Sequence, residues 1–113
     1  MSGATLSTHV LDNAHGVPAR DMGVTLSGPA GEIASGRTND DGRCPGLVSG
    51  PLRAGRYRLS FAVADYFTAR GVALADPPFL DVVTIEFGIA ADGGHYHVPL
   101  LVSPFAYSTY RGS

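Results

Sequence analysis

The chain of 113 residues fits a single domain, residues 1–113, because this length buries enough surface for one hydrophobic core and too little for two. The formal net charge is −2 and the eight basic residues, all arginines, are scattered along the chain, which excludes a nucleic-acid partner. No run of about 20 apolar residues and no signal-like start occurs, so we expect no membrane partner. The single cysteine, Cys44, cannot close an internal disulfide and predicts a cytoplasmic location.

The first part of the chain alternates between apolar and polar residues with the period of two that is typical of half-buried strands. The alternation predicts strands over residues 4–11 and 22–27, separated by turn formers at 12–18. A weaker alternation over residues 32–38 predicts an edge strand. In the first strand, His9 falls on the more polar face.

A sharp turn is predicted at residues 39–42, where the sequence reads Asn-Asp-Asp-Gly. Asparagine and aspartate bond their own backbone in turns, and Gly42 supplies the positive φ that such a corner needs. Arg43 is therefore presented just beyond a corner. Between residues 45 and 55, proline and glycine recur too often for regular structure.

The centre of the chain carries the clearest strand pattern. Residues 57–63 alternate between large apolar and smaller or polar side chains, so they predict a central strand. Asp65 is a good helix N-cap, and the residues after it predict a short helix over 66–70 that ends at a left-handed Gly71. The helix has room for one or two turns only.

The last third of the chain predicts three further strands. Residues 82–89 alternate, and the Asp-Gly-Gly turn at 92–94 predicts a hairpin with a return strand over 95–102. Pro99 lacks a backbone donor, so we expect the return strand to lie at an edge or to bulge there. The final strand is predicted over 106–110. Together these elements indicate an all-β antiparallel sandwich of about eight strands with one short helix.

Four polar side chains are candidates for function: His9, His95, His97 and Arg43. Histidine titrates near ~6.5 and can act as a base at neutral pH, although a surface histidine without a role is the more frequent case. The His-Tyr-His pair could supply two zinc ligands, but a structural site needs four and a catalytic one usually three, so we predict no metal site. Cys44 has no second cysteine to pair with and is expected to be a buried, inert thiol.

Three motifs of the chain resemble those of the transthyretin-related proteins, which are 5-hydroxyisourate hydrolases. The first is Leu-Ser-Thr-His-Val-Leu-Asp at residues 6–12, and the second is Thr-Asn-Asp-Asp-Gly-Arg at residues 38–43. The third is Tyr-His-Val-Pro-Leu-Leu-Val-Ser at residues 96–103 with Tyr-Ser-Thr-Tyr-Arg-Gly-Ser at residues 107–113. The resemblance spans nearly the whole chain, and the terminal Tyr-Arg-Gly-Ser combined with the other two motifs is highly specific.

The resemblance implies a transthyretin-like (prealbumin-like) sandwich of two four-stranded sheets, assembled as a homotetramer with active sites at the dimer–dimer interface. An interface would also order the apolar end of the chain, which a solvated tail would not. The implied reaction is hydrolysis of 5-hydroxyisourate, the unstable product of urate oxidation, to 2-oxo-4-hydroxy-4-carboxy-5-ureidoimidazoline. The resemblance implies neither a metal nor an organic cofactor.

Carried over residue by residue, the resemblance implies catalytic roles for His9, Arg43 and His97. It implies the remaining substrate-binding positions at Ser108, Tyr110, Arg111, Gly112 and Ser113. We expect one histidine to activate water and the other to orient or protonate the substrate, while Arg43 holds substrate oxygens and stabilises negative charge. The sequence alone does not distinguish the roles of the two histidines.

Two other functions stay open at this point. A carrier of thyroid hormone would have the same fold, since transthyretin itself resembles this chain in the central strands. Tyr110 and Arg111 at the chain end would obstruct a large aromatic ligand and hold a small polar one, which favours the enzyme. A passive module for protein contacts would leave both histidines and Arg43 incidental.

Overall fold

Residues 3–113 are described by a computed structural model, which contains two four-stranded sheets packed face to face. The strands are β1 Ala4–Asp12, β2 Val17–Pro18, β3 Gly23–Gly28, β4 Gly31–Arg37, β5 Gly55–Ala62, β6 Val82–Ile89, β7 Gly94–Val102 and β8 Tyr107–Thr109, with one helix, α1 Val63–Ala69. The predicted all-β sandwich with one short helix is confirmed. Only the two-residue strand β2 was not predicted, because it lies within a run of turn formers.

The strand order is β2-β1-β7-β8 in the first sheet and β4-β3-β5-β6 in the second. The weak strand β4 lies at an edge, as predicted. The prediction of purely antiparallel pairing is wrong for one pair, because β1 and β7 run parallel over nine residue pairs from Ala4↔Gly94 to Asp12↔Val102. Parallel neighbours need a long connection, and here the whole second sheet supplies it.

The hairpin predicted at residues 92–94 is wrong. Strand β6 pairs with β5 in the second sheet, whereas β7 pairs with β1 and β8 in the first. The turn therefore carries the chain from one sheet to the other. Alternation reports which face of a strand is buried, and it is equally satisfied by a neighbour in the same sheet and by a neighbour across the core.

The prediction of an edge or a bulge at Pro99 is also wrong, since β7 is an interior strand and its register with β1 is continuous there. The ladder with β8 covers only Leu100 to Val102. The carbonyl of Pro99 accepts a hydrogen bond from the Thr109 hydroxyl at 2.7 Å, so this residue's backbone faces β8 just beyond the last ladder pair. Pro99 has no backbone N–H to donate, and because it lies outside the β7–β8 ladder, that ladder loses no hydrogen bond.

The helix begins three residues earlier than predicted, at Val63. Ala62 is the N-cap and makes no side-chain cap bond, so Asp65 lies in the first turn instead of capping it, and the predicted Asp65 cap is wrong. An acidic side chain in the first turn still complements the helix dipole. Gly71 has φ +84° after the helix, as predicted. Within residues 3–113, no helix is long and apolar enough to cross a bilayer.

The core lies between the sheets and is formed by alternate residues of the central strands. Its fully buried side chains include Val10, Leu26, Leu59, Phe61 and Leu100. Because these residues hold one face of β1 and β7 inward, the intervening residues of the same strands face away from the core. This outer face carries the histidines.

Candidate active site

The parallel pairing of β1 with β7 groups polar side chains on the outer face of the first sheet. Ser7 is directly opposite His97, and Thr5 is directly opposite His95. His9 is opposite Pro99, two residues beyond His97 on the same face. The two candidate catalytic histidines are therefore diagonal neighbours on adjacent strands, both half-buried.

Arg43 reaches this face through the turn that precedes it. An isolated antiparallel bridge joins Arg43 to His9. The Asn39 side chain accepts hydrogen bonds from the backbone N–H groups of Asp41 and Arg43, both at 3.0 Å, and the Asn39 N–H donates to the Arg43 carbonyl at 2.7 Å. The turn predicted from the sequence is thus closed on both sides, and it fixes the backbone of Arg43 beside β1.

Gly42 is required for this close approach. It has φ +77°, and its carbonyl accepts a hydrogen bond from the Val10 N–H at 2.7 Å. A Cβ on Gly42 would overlap the carbonyl oxygen of Val10. Only glycine therefore combines the left-handed backbone with a strand running directly against it.

The end of the chain folds back onto His97. Gly112 and His97 form an isolated antiparallel bridge, in which the Gly112 N–H donates to the His97 carbonyl at 2.8 Å. A Cβ on Gly112 would overlap the Cδ2 edge of the His97 ring. The absence of a side chain at residue 112 thus lets the terminal backbone lie against the imidazole.

The other implied pocket residues are less closely grouped. Ser108 is opposite Leu101 in the β7–β8 ladder and is exposed, and Ser113 is exposed at the terminus. Tyr110 is 60% exposed. The remaining one, Arg111, lies with its Cζ atom 3.9 Å from the centre of the Tyr96 ring, and it donates to the His95 carbonyl at 3.2 Å. The structure therefore brings together His9, Arg43, His97 and Gly112. The other implied pocket residues lie around this group: Ser108, Tyr110, Arg111 and Ser113.

Hydrogen bonds distinguish the two histidines. His9 Nε2 lies 2.8 Å from the carbonyl oxygen of Asp41 and must donate to it, because a carbonyl only accepts. In neutral His9 the lone pair is therefore on Nδ1. His97 Nδ1 lies 2.7 Å from the Ser7 hydroxyl, which can donate or accept, and His97 Nε2 has no hydrogen-bond partner among the described residues.

The surroundings of His97 favour its neutral form. Burial lowers the pKa of His97, and the positive charge of Arg43 and the neighbouring His9 and His95 lower it further. An imidazole with a lowered pKa keeps its lone pair at neutral pH, which a general base requires. Cys44 is half-buried, so the prediction of a buried thiol is wrong. Its partial burial still raises the pKa of the thiol, which disfavours the reactive thiolate.

Some of the implied pocket residues line two separate cavities. One cavity of about 160 Å³ has Arg43 and Ser7 on its wall, and another of about 260 Å³ has Tyr110 and Arg111. A larger cavity of about 550 Å³ lies beside the helix and includes none of the implied site residues; it is lined mainly by charged side chains, among them Arg20, Arg37, Arg70, Asp21, Asp40 and Asp65. Over residues 3–113, no three His, Cys, Asp or Glu side chains are grouped so that they could hold a metal ion.

Sequence reasoning missed the side chains that support the histidines. Ser7 and Thr5 share the His9 face by their period of two, but nothing in the sequence pairs them with His97 and His95. The carbonyl of Asp41 was missed because a backbone acceptor has no sequence signature. The available signal was the position of Ser7, two residues before His9.

The fold and the outer-face site together define a transthyretin-like β-sandwich. Residues 6–112 match the HIUase/Transthyretin family, and the chain belongs to this family. The 5-hydroxyisourate hydrolase of Ralstonia nicotianae is 57% identical over 114 residues, a match that covers 96% of this chain and 97% of that protein.

Solved structures show the same architecture. The 5-hydroxyisourate hydrolase of Klebsiella pneumoniae has a TM-score of 0.86 and 37% identity, and the match covers 97% of this chain and 99% of that one. Sea bream transthyretin in complex with thyroxine has a TM-score of 0.85 and 31% identity, with 96% and 95% covered. An (S)-allantoin synthase gives a TM-score of 0.91 at 40% identity, but the match covers 99% of this chain and only 44% of that longer one.

Proposed function

We propose that this protein is an enzyme that hydrolyses 5-hydroxyisourate to 2-oxo-4-hydroxy-4-carboxy-5-ureidoimidazoline in urate degradation. The relatives from R. nicotianae and K. pneumoniae are both 5-hydroxyisourate hydrolases. The observation that carries the proposal is the convergence of His9, Arg43 and His97, which come from three distant segments and lie at neighbouring backbone positions. A cation beside two imidazoles suits hydrolysis of a cyclic acyl C–N bond without a metal.

In the proposed mechanism, His97 is the general base. Its Nε2 takes a proton from water, and the water oxygen adds to the acyl carbon. This assignment is supported by the lowered pKa of His97 and by Nε2 being the ring nitrogen that has no hydrogen-bond partner within residues 3–113. When the C–N bond breaks, the proton on Nε2 is passed to the leaving nitrogen, so the imidazole is regenerated.

Arg43 stabilises the negative charge that develops on the acyl oxygen. A guanidinium donates from a fixed planar fork and carries its charge at any relevant pH, so it stabilises an oxyanion without first losing a proton. The backbone bridge to His9 holds the loop of Arg43 in place before the substrate arrives. His9, whose Nε2–H is bound to Asp41, offers Nδ1 to orient a donor group of the substrate.

The proposed active form is a homotetramer with its sites at the dimer–dimer interface. Strand β8 is a sheet edge with all three residues exposed. Tyr107, its first residue, is 46% exposed, and Tyr110, just after the strand, is 60% exposed. Edges and aromatic side chains of this kind are covered in assemblies. Light scattering is expected to give about four times the 11.7 kDa mass of one chain. A monomer would contradict the assembly.

The substrate proposal is tested by adding the protein to freshly made product of urate oxidase and following the absorbance of 5-hydroxyisourate. We expect decay well above the spontaneous rate. A thyroxine titration tests the alternative function of a carrier, because the sea bream transthyretin structure contains that ligand. If the protein bound thyroxine tightly and did not accelerate 5-hydroxyisourate decay, it would be a carrier and the enzyme proposal would be wrong. The cytoplasmic location stays a prediction from the single cysteine.

A further inference from the structure

Behind His97, a continuous line of hydrogen bonds leads away from the site. His97 Nδ1 lies 2.7 Å from the Ser7 hydroxyl, and the same hydroxyl lies 2.9 Å from His95 Nε2. The other ring nitrogen of His95 lies 2.6 Å from the Thr5 hydroxyl. Ser7 and His97 are half-buried, whereas His95 and Thr5 are exposed. The line therefore begins at a proposed catalytic side chain and ends at solvent.

The hydroxyl of Ser7 couples the two imidazoles because it has one hydrogen and can donate to only one of them. If His97 donates from Nδ1 to Ser7, then Ser7 donates to His95 Nε2 and His95 Nδ1 donates to Thr5. His97 then keeps its lone pair on Nε2. If all three bonds reverse, Ser7 donates to His97 Nδ1 and the proton of neutral His97 is on Nε2.

We propose that Ser7 and His95 form a proton relay for His97, an inference that rests on the function proposed above. When His97 Nε2 gains a proton from water, the Nδ1 proton of His97 passes to the Ser7 oxygen. The original Ser7 proton passes to His95 Nε2, and no proton is created or lost. The positive charge thus moves from His97 to His95, and it returns by the reverse path when the leaving nitrogen is protonated.

Electrostatics favours this displacement of charge. The groups that act on His97 are Arg43 from the loop, His9 from β1 and His95 from its own strand. A cation is poorly placed on half-buried His97 beside a guanidinium, whereas exposed His95 is solvated. Near His95, Arg111 donates to the backbone carbonyl of that residue and not to its ring.

Four variants test the relay. Ser7→Ala removes the linking hydroxyl, and Ser7→Thr retains it on a strand that accepts β-branched residues. His95→Gln keeps a group that can bond Ser7 but cannot carry the charge. Ser60→Ala is the matched control, because Ser60 is another strand serine whose hydroxyl lies 3.1 Å from a threonine hydroxyl, in the second sheet.

The relay predicts that Ser7→Ala and His95→Gln each lower kcat about tenfold with little change in KM, a fraction of the ~10²–10⁴-fold that a general base supplies. Ser7→Thr and Ser60→Ala are expected to stay near wild type. The relay would be overturned if Ser7→Ala had the same kcat as Ser60→Ala, or if His95→Gln had a normal kcat.

A readout that does not need the reaction keeps this test separate from the proposed function. Nitrogen-15 NMR of the imidazole rings is expected to show neutral His97 protonated on Nδ1 in the wild type and a changed tautomer ratio in Ser7→Ala. If the wild type fails to accelerate 5-hydroxyisourate decay, the proposed function is wrong. The tautomer ratio still tests whether Ser7 connects His97 to His95. An unchanged tautomer ratio in Ser7→Ala would overturn the relay even in an active enzyme.

Discussion

The backbone of Gly112 lies against the imidazole of His97, and a single added carbon at Gly112 would overlap the ring. The position of the His97 ring therefore depends on the position of the terminal segment. We expect Gly112→Ala to displace the chain end or the His97 ring and to lower kcat/KM at least about tenfold, because small misplacements of catalytic groups are costly.

The matched control for this variant is Gly50→Ala. Gly50 has open space where a Cβ would be, and its φ is not in the left-handed region. Both variants are expected to keep the thermal midpoint of the wild type within a few degrees, since neither residue is in the core. Equal turnover in the two variants would show that the contact between Gly112 and His97 is irrelevant to the reaction.

The pH dependence of turnover should report His97. A base acts in its unprotonated form, so kcat/KM falls as pH drops through the pKa of His97, which burial and Arg43 hold below its ordinary value. Arg43→Gln removes the positive charge, raises that pKa and shifts the acid limb of the profile to higher pH. Turnover should also fall at least about 100-fold because the oxyanion loses its donor.

Arg43→Lys separates these two effects. It retains the charge and loses the planar fork, so turnover should fall while the acid limb stays near its wild-type position. If the acid limb of Arg43→Gln coincided with that of Arg43→Lys, the electrostatic link between Arg43 and His97 would be refuted.

The loop that carries Arg43 should depend on Gly42 more than on its neighbour Gly46. Both glycines have φ +77°, but a Cβ on Gly42 would overlap the Val10 carbonyl oxygen, whereas Gly46 has no atom within 4 Å of that position. Alanine at either residue carries the strain of a left-handed backbone, about 1–2 kcal/mol. Only Gly42→Ala also displaces the loop, so it should lower both turnover and unfolding free energy more than Gly46→Ala.

A buried acid stabilises the far end of β1. Asp12 is 1% exposed and accepts hydrogen bonds from the Tyr66 hydroxyl at 2.8 Å and from His15 Nδ1 at 2.7 Å. Burial alone would raise the pKa of Asp12, but the bonds from Tyr66 and His15 together hold it below its ordinary value. Burial and the bond to Asp12 raise the pKa of Tyr66 to about 12.

Tyr66→Phe is expected to lower the unfolding free energy by about 1–3 kcal/mol at neutral pH, because it removes a donor from a buried carboxylate. A lowered folded pKa contributes stability above the unfolded pKa, and this contribution is lost as pH falls through the folded pKa. The difference between variant and wild type should therefore shrink in acid. Tyr57→Phe is the control, since it loses a hydroxyl bond to the neutral Arg53 carbonyl. Urea titrations at neutral and acidic pH measure both, and a pH-independent difference would contradict the account.

The sequence predicted the strands more reliably than their partners. Strand β1 was predicted to within one residue, because its alternation follows directly from burial on one face. The hairpin at 92–94 failed because alternation does not say which sheet the next strand joins. The bond between Ser7 and His97 depends on a parallel register between strands at opposite ends of the chain. Local pattern carries no information on such a register.

The candidate residues themselves came from family motifs, because no sequence pattern separates a functional histidine or arginine from one that is merely exposed to solvent. The structure adds what the motifs lacked, namely that His9 donates to Asp41 and His97 meets Ser7. These bonds give the two histidines different free nitrogens. The catalytic roles stay predictions until turnover is measured.

The most direct measurement compares the wild type with His97→Asn in the decay of freshly generated 5-hydroxyisourate at neutral pH. Asparagine can still bond Ser7 and cannot act as the base. The account predicts fast decay with the wild type and a loss of at least about 100-fold in the variant, with an unchanged circular dichroism spectrum. Near-normal turnover in a folded His97→Asn protein would contradict the claim that this imidazole activates the water.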